Sequence, residues 1–166
     1  MHRLSFPSVQ RFAPVAPVIL RLVVGSVMAL HGWQKLTEMG PAMFGEGMVA
    51  ELGIPAPVLV GWAITLVELI GGSFLVLGFL TRISAVAVTV VLLGATILVK
   101  PDLGLIAPMG SMLPGAELDL SLIAGALGVL FLGPGRPSLD HTLGIETGTP
   151  DAVRDDEPAA REPARV

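Results

Sequence analysis

PVLVGWAITLVELIGGSFLVLGFL, residues 57–80, contains a single ionisable side chain, Glu68, in a run otherwise built of apolar and small residues. A transmembrane helix needs about 20 predominantly apolar residues, and this stretch supplies them. A lone charge at mid-bilayer costs roughly 2.5–3.5 kcal/mol on insertion scales. The carboxyl group of Glu68 must therefore be paired, neutral, or turned toward a polar interior. The stretch reads as a membrane span with something to meet on one face.

Three further apolar blocks flank it, at about 16–36, 83–99 and 117–133, against about 57–79 for the first. Hydrophobic residues make up 52% of the 166 and charged residues 14%, with a mean hydropathy of +0.77, a balance foreign to a soluble domain. The expected fold is all-α: a transmembrane antiparallel four-helix bundle. Residues 37–56 place Phe44, Met48, Val49 and Leu52 at near-helical spacing, which suggests a short interfacial helix between spans one and two.

The expected layout is a cytoplasmic N-terminal segment 1–13, a membrane domain 14–144, and a disordered cytoplasmic tail 145–166 without apolar period. Pro14 and Pro17 mark the start of span one. Arg21 interrupts that block and no small-x-small site follows it, so it reads as a retained span rather than a signal peptide. With no cysteine, thiol relays and cysteine-bound metal centres are excluded, and no metal site is expected. No basic run suits nucleic acid. Arg3, Arg11, Arg82 and Arg136 fall on one side of the spans, Lys35 and Lys100 on the other. The positive-inside rule then places both termini in the cytoplasm of a multi-pass protein of the cell (inner) membrane.

At about 100° per residue, Arg21, Gly25, Met28, Gly32 and Lys35 share one direction on span one, with His31 to the side. Gly61, Thr65, Glu68 and Gly72 form a stripe on span two, and Glu117, Ser121, Ala124 and Gly128 one on span four. Small residues let helices approach closely in lipid, so the polar residues between them face the bundle. The resulting polar seam comprises Arg21, Glu68, Thr65, His31, Lys35 and Glu117. Depths of about 15 Å for Glu68 and about 8 Å for Arg21 leave an axial gap a guanidinium can cover. The expected arrangement is Arg21 holding Glu68, or a neutral Glu68 bonded to Thr65 or a neighbouring span. Such a pair can also fix helix register without chemistry. His31, beside Trp33, also reads as a polar group reaching for the interface, and Trp33 and Trp62 as interface aromatics.

The elements LRLVVGSVMALHGWQKL, LGIPAP, LVELIGGSFLVLGFLTR and GPGRPSLD, in that order, resemble the DoxX family of small four-helix membrane proteins. The resemblance covers about residues 18–143. It matches Arg21, His31, Gly32 and Lys35 in span one, and Glu68, Gly71 and Gly72 in span two. Thr81 and Arg82 follow, then Ser138 and Asp140, with Glu117 opening span four. Many relatives carry a histidine near the end of span three, where this chain has Val99 and Lys100. The resemblance implies a membrane subunit or scaffold of an oxidoreductase complex, with quinone as a candidate cofactor and soluble redox enzymes as cytoplasmic partners. Archaeal relatives are associated with thiosulfate:quinone oxidoreductase, and a mycobacterial one with a superoxide dismutase and a sulfurtransferase. Catalysis by the chain alone is not expected. A small-solute or proton-coupled carrier, working as a homo-oligomer, is the alternative that Glu68 raises.

Overall fold

A computed structural model describes residues 11–111 and 114–146. Most of the expected N-terminal segment, and the tail beyond Glu146, lie outside the described residues. Among the described residues every regular element is helical. Helix α1 runs Ala13–Met39, α2 Pro41–Phe44, α3 Pro57–Leu77, α4 Thr81–Leu98, α5 Ala116–Leu132 and α6 Leu139–Thr142. Helices α1, α3 and α4 are each long and apolar enough to cross a membrane. Helix α5 has 17 residues and carries Glu117 and Asp119 in its first turn.

Proline opens several of these helices. Pro14 and Pro17 stand at the head of α1, Pro41 begins α2, and Pro57 begins α3. Each sits where a helix leaves its first N–H groups unbonded, so the missing donor costs nothing. Gly78 (φ 68°) ends α3, and Leu80 (φ 43°) turns the chain directly into α4. The first amides of α4 are capped from far along the chain: Asp140 accepts from Leu80 N (2.7 Å) and Thr81 N (2.8 Å).

Packing is closest between α1 and α3. A Cβ at Gly25 would lie 2.7 Å from the Gly72 carbonyl and 2.9 Å from Val76 N. Only glycine allows that approach, which in lipid replaces the hydrophobic effect as the source of helix affinity. The buried core draws on all four long segments, with Val24 and Met28 from α1, Leu75 from α3, Val88 from α4, and Ala126 and Val129 from α5.

Among the described residues, three π-helical turns interrupt the α-helical pattern: Lys35–Met39 ending α1, Gly45–Val49 following α2, and Val67–Gly71 inside α3. Such turns add a residue to the local winding and occur often at functional sites. Here the turn inside α3, Val67–Gly71, shapes the fold as well. Below it, the Val67–Gly71 and Gly72–Leu77 parts of α3 pack on α4. Above it, Pro57–Leu66 leans on α2 and its π-turn instead, with Gly61 seated against Gly45. Helices α3 and α4 thus diverge away from their tight turn and leave a wedge between them.

Candidate functional site

The wedge is a cavity of about 940 Å³, within the range of sites that hold small molecules. Its walls are mainly apolar, with Met28, Phe44, Val49, Ile64, Leu92 and Leu122 among them. Two ion pairs stand among its polar groups, beside His31 and the exposed Gln34 and Glu38, which are hydrogen-bonded to each other at 3.0 Å. Lys35, from the π-turn ending α1, pairs with Glu68, from the π-turn inside α3. Lys100, just after α4, lies 2.7 Å from Asp119 of α5. Both carboxylates are buried, and both pairs line the same cavity.

The two pairs differ in spare capacity. Asp119 Oδ1 accepts from Lys100, and its Oδ2 lies 3.3 Å from Thr96 Oγ1, whose single hydroxyl proton also has the Leu92 carbonyl at 2.8 Å. Lys100 also donates to the Gly115 carbonyl at 3.1 Å. Glu68 accepts from Lys35 through Oε2, which leaves Oε1 as a further acceptor on a side chain that lines the cavity. The Lys35 ammonium also stands 5.3 Å from the Phe44 ring centroid, a cation–π distance. His31 adds a further acceptor. Its Nδ1 lies 2.9 Å from the Val27 carbonyl, which can only accept, so Nδ1 carries the proton. In the neutral ring Nε2 is then bare, on a side chain that lines the cavity.

Glu68 meets Lys35, not Arg21, and the expected Arg21–Glu68 pair is corrected here. The glycine contacts set the register between α1 and α3: Gly32 seats against Leu69, and Gly25 against Gly72 and Leu75. That register puts Lys35 beside Glu68 and Arg21 beside Leu75 and Val76, about 11 Å further along α3 at 1.5 Å per residue. Arg21 is buried at the opposite end of the molecule. Its guanidinium donates to the carbonyls of Val76 (2.7 Å), Leu75 (3.4 Å) and Pro137. Carbonyls at a helix C-terminus lack intrahelical donors and carry partial negative charge, so they suit a cation as a carboxylate would.

The other expected seam residues separate. Thr65 is buried and donates to Gly61 O at 2.8 Å, within its own helix and not to Glu68. Glu117 lies outside the cavity lining, with a buried Oε2 that has no hydrogen-bond partner among the described residues. Six candidates thus divide into a cavity group (Lys35, Glu68, His31), a latch (Arg21) and two residues apart. Lys100 and Asp119 join the site without having been singled out. Each stands at the end of an apolar block, where a charge commonly reaches water. One sign was present: both fall at the same expected end of neighbouring spans.

The DoxX family pattern matches residues 16–101, more than half of the chain. This protein belongs to the DoxX family. An uncharacterized membrane protein of Mycobacterium tuberculosis is 36% identical over 138 residues, covering 78% of this chain and 82% of the relative. CatD of Bacillus subtilis, named provisionally as an oxidoreductase, is 32% identical over 128 residues, covering 76% of this chain and 85% of CatD. No solved structure matches significantly. The matched DoxX segment contains Arg21, His31, Lys35 and Glu68, and extends to Lys100. The chain is a DoxX-family membrane protein with an all-helical fold.

Proposed function

We propose that this DoxX protein is the membrane subunit of an oxidoreductase assembly and holds a small amphipathic redox partner in its cavity. Helices α1, α3, α4 and α5 cross the inner membrane as an antiparallel bundle, with both termini in the cytoplasm. Segment 41–49 rides at the opposite interface. The observation carrying the reading is the cavity itself, an apolar volume with two ion pairs and a bare imidazole nitrogen.

A quinone fits the donor set. Its carbonyl oxygens would accept from Lys35 or Lys100, its ring would lie against the apolar wall, and Glu68 Oε1 or His31 Nε2 would receive a proton from the reduced form. When bound, such a molecule supplies the electron-carrying capacity. The chain's own residues bind it, orient it and exchange protons with it. The likeness to CatD supports a redox setting.

Purification from native membranes in mild detergent tests the proposal. Recovery of an oxidoreductase together with extractable quinone is the expected result. A protein that emerges alone, and whose pH-dependent solute uptake in vesicles is abolished by Glu68→Gln, would instead be a carrier. That second reading rests on the same mid-helix carboxylate.

A further inference from the structure

The cavity has an opening whose chemistry differs from its interior. Val90, Gly94 and Leu98 recur every four residues on one face of α4, and all three line the cavity. Val90 is also 63% exposed and Leu98 48% exposed. Met43 faces the same cavity from the segment after α1 and is 70% exposed. Residues both on the wall and on the outside form the rim of a side opening. Its position follows from the fold: α4 packs on the far part of α3, while Pro57–Leu66 leans away toward α2.

Gly94 sits in the middle of this rim. A Cβ built on it would find no atom within 4 Å, so the gap there is open space rather than a tight crossing. The rim is apolar, and on a membrane-crossing helix the medium outside it is lipid tail rather than water. Deeper in, the cavity keeps apolar walls as far as buried Met28 and Leu122. Its two buried carboxylates are each matched by a lysine, Glu68 by Lys35 and Asp119 by Lys100, while the exposed Glu38 on the lining accepts from Gln34 at 3.0 Å. A charged head seated between these two pairs would have to break one of them, whereas a neutral head there can use Glu68 Oε1, His31 Nε2 and the lysine N–H groups as they stand.

We propose that the cavity opens sideways to the bilayer through a portal at Gly94, and that a neutral amphiphile enters head first from the lipid phase. Its apolar chain trails through the portal, and its polar head lies between the two ion pairs. The inference rests on the membrane placement under Proposed function, but not on any redox chemistry or partner protein. It adds a route and a ligand class: uncharged, long-chained and dissolved in the membrane.

Photolabelling of the full chain in lipid nanodiscs tests this directly. The probe is a long-chain alcohol with a diazirine on its alkyl chain, and labelled residues are mapped by mass spectrometry. The expected result is labelling of interior Met28 or Leu122 in addition to outward-facing Ile83 and Ile97. Gly94→Trp is expected to reduce the interior labelling at least fivefold and leave the outer labelling unchanged, while Gly94→Ala retains both. Val90→Trp, a second rim substitution, is expected to act as Gly94→Trp does. Interior residues unlabelled in the parent protein would overturn the proposal. So would interior labelling that persists in both tryptophan variants. Failure of co-purification with an oxidoreductase would leave these labelling outcomes unchanged, so the two readings fail separately.

Discussion

A half-buried lysine and a buried arginine organise the opposite ends of this molecule, and they do so with different partners. Lys35 takes a carboxylate, Glu68, on the cavity wall. Arg21 takes three carbonyls, including those of Leu75 and Val76 at the end of α3. The choice follows from chemistry as well as position: a planar guanidinium has five donors and can bridge several acceptors, whereas an ammonium acts as a compact point charge. Removing Lys35 leaves the buried Glu68 carboxylate uncompensated, which typically costs several kcal/mol, and removing Glu68 costs less because Lys35 keeps some contact with solvent. Glu68→Gln and Lys35→Met should each destabilise the protein, and a double-mutant cycle between them should show coupling of at least about 1 kcal/mol. The same cycle between Arg21 and Glu68 should give coupling near zero. Denaturation in mixed micelles is the measurement. Asp140 supports a separate expectation. It caps α4 through Leu80 N and Thr81 N, so Asp140→Ala should cost about 0.5–2 kcal/mol in the same assay.

Glycines at the element scale fall into two groups that look alike in sequence. Gly25 and Gly72 hold α1 against α3, and a side chain at either would collide with the facing backbone. Gly94 touches nothing at the place a Cβ would occupy. Gly25→Leu should therefore destabilise the protein by roughly 1–3 kcal/mol or more. Gly94→Ala should be neutral or stabilising by up to about 1 kcal/mol, since alanine is the better helix former. Thermal unfolding of the two variants side by side checks the contrast. The small-residue stripes read from the sequence correctly suggested close packing, because period and residue size are local properties. They did not supply the register between helices. That depends on which glycine meets which backbone, and the resulting offset moves Arg21 from Glu68 to Val76. The π-turns were equally hidden. Val67–Gly71 has no residue that forbids an ordinary α-turn, so nothing local in the sequence marks its extra winding.

For the whole molecule, composition and block length made the all-helical, membrane-type character legible, because lipid imposes a length and an apolar content on any helix that crosses it. The cavity was not legible. It exists because α3 and α4 part above the Val67–Gly71 turn, and Lys100 and Asp119 enter it from helix ends that sequence alone reads as surface. The central claim is that four helices cross the membrane in alternating directions and enclose that cavity. Helix α5, with 17 residues and two acids in its first turn, is where the claim is most exposed. The chain contains no cysteine, so single cysteines can be introduced without background. Placed at Phe12, Phe79 and Arg136, and separately at Ile54 and Leu105, they can be reacted with a membrane-impermeant maleimide in sealed inside-out and right-side-out vesicles. The account predicts that the first three label only from the cytoplasmic face and the last two only from the other. Labelling of Leu105 and Arg136 from the same face would contradict it.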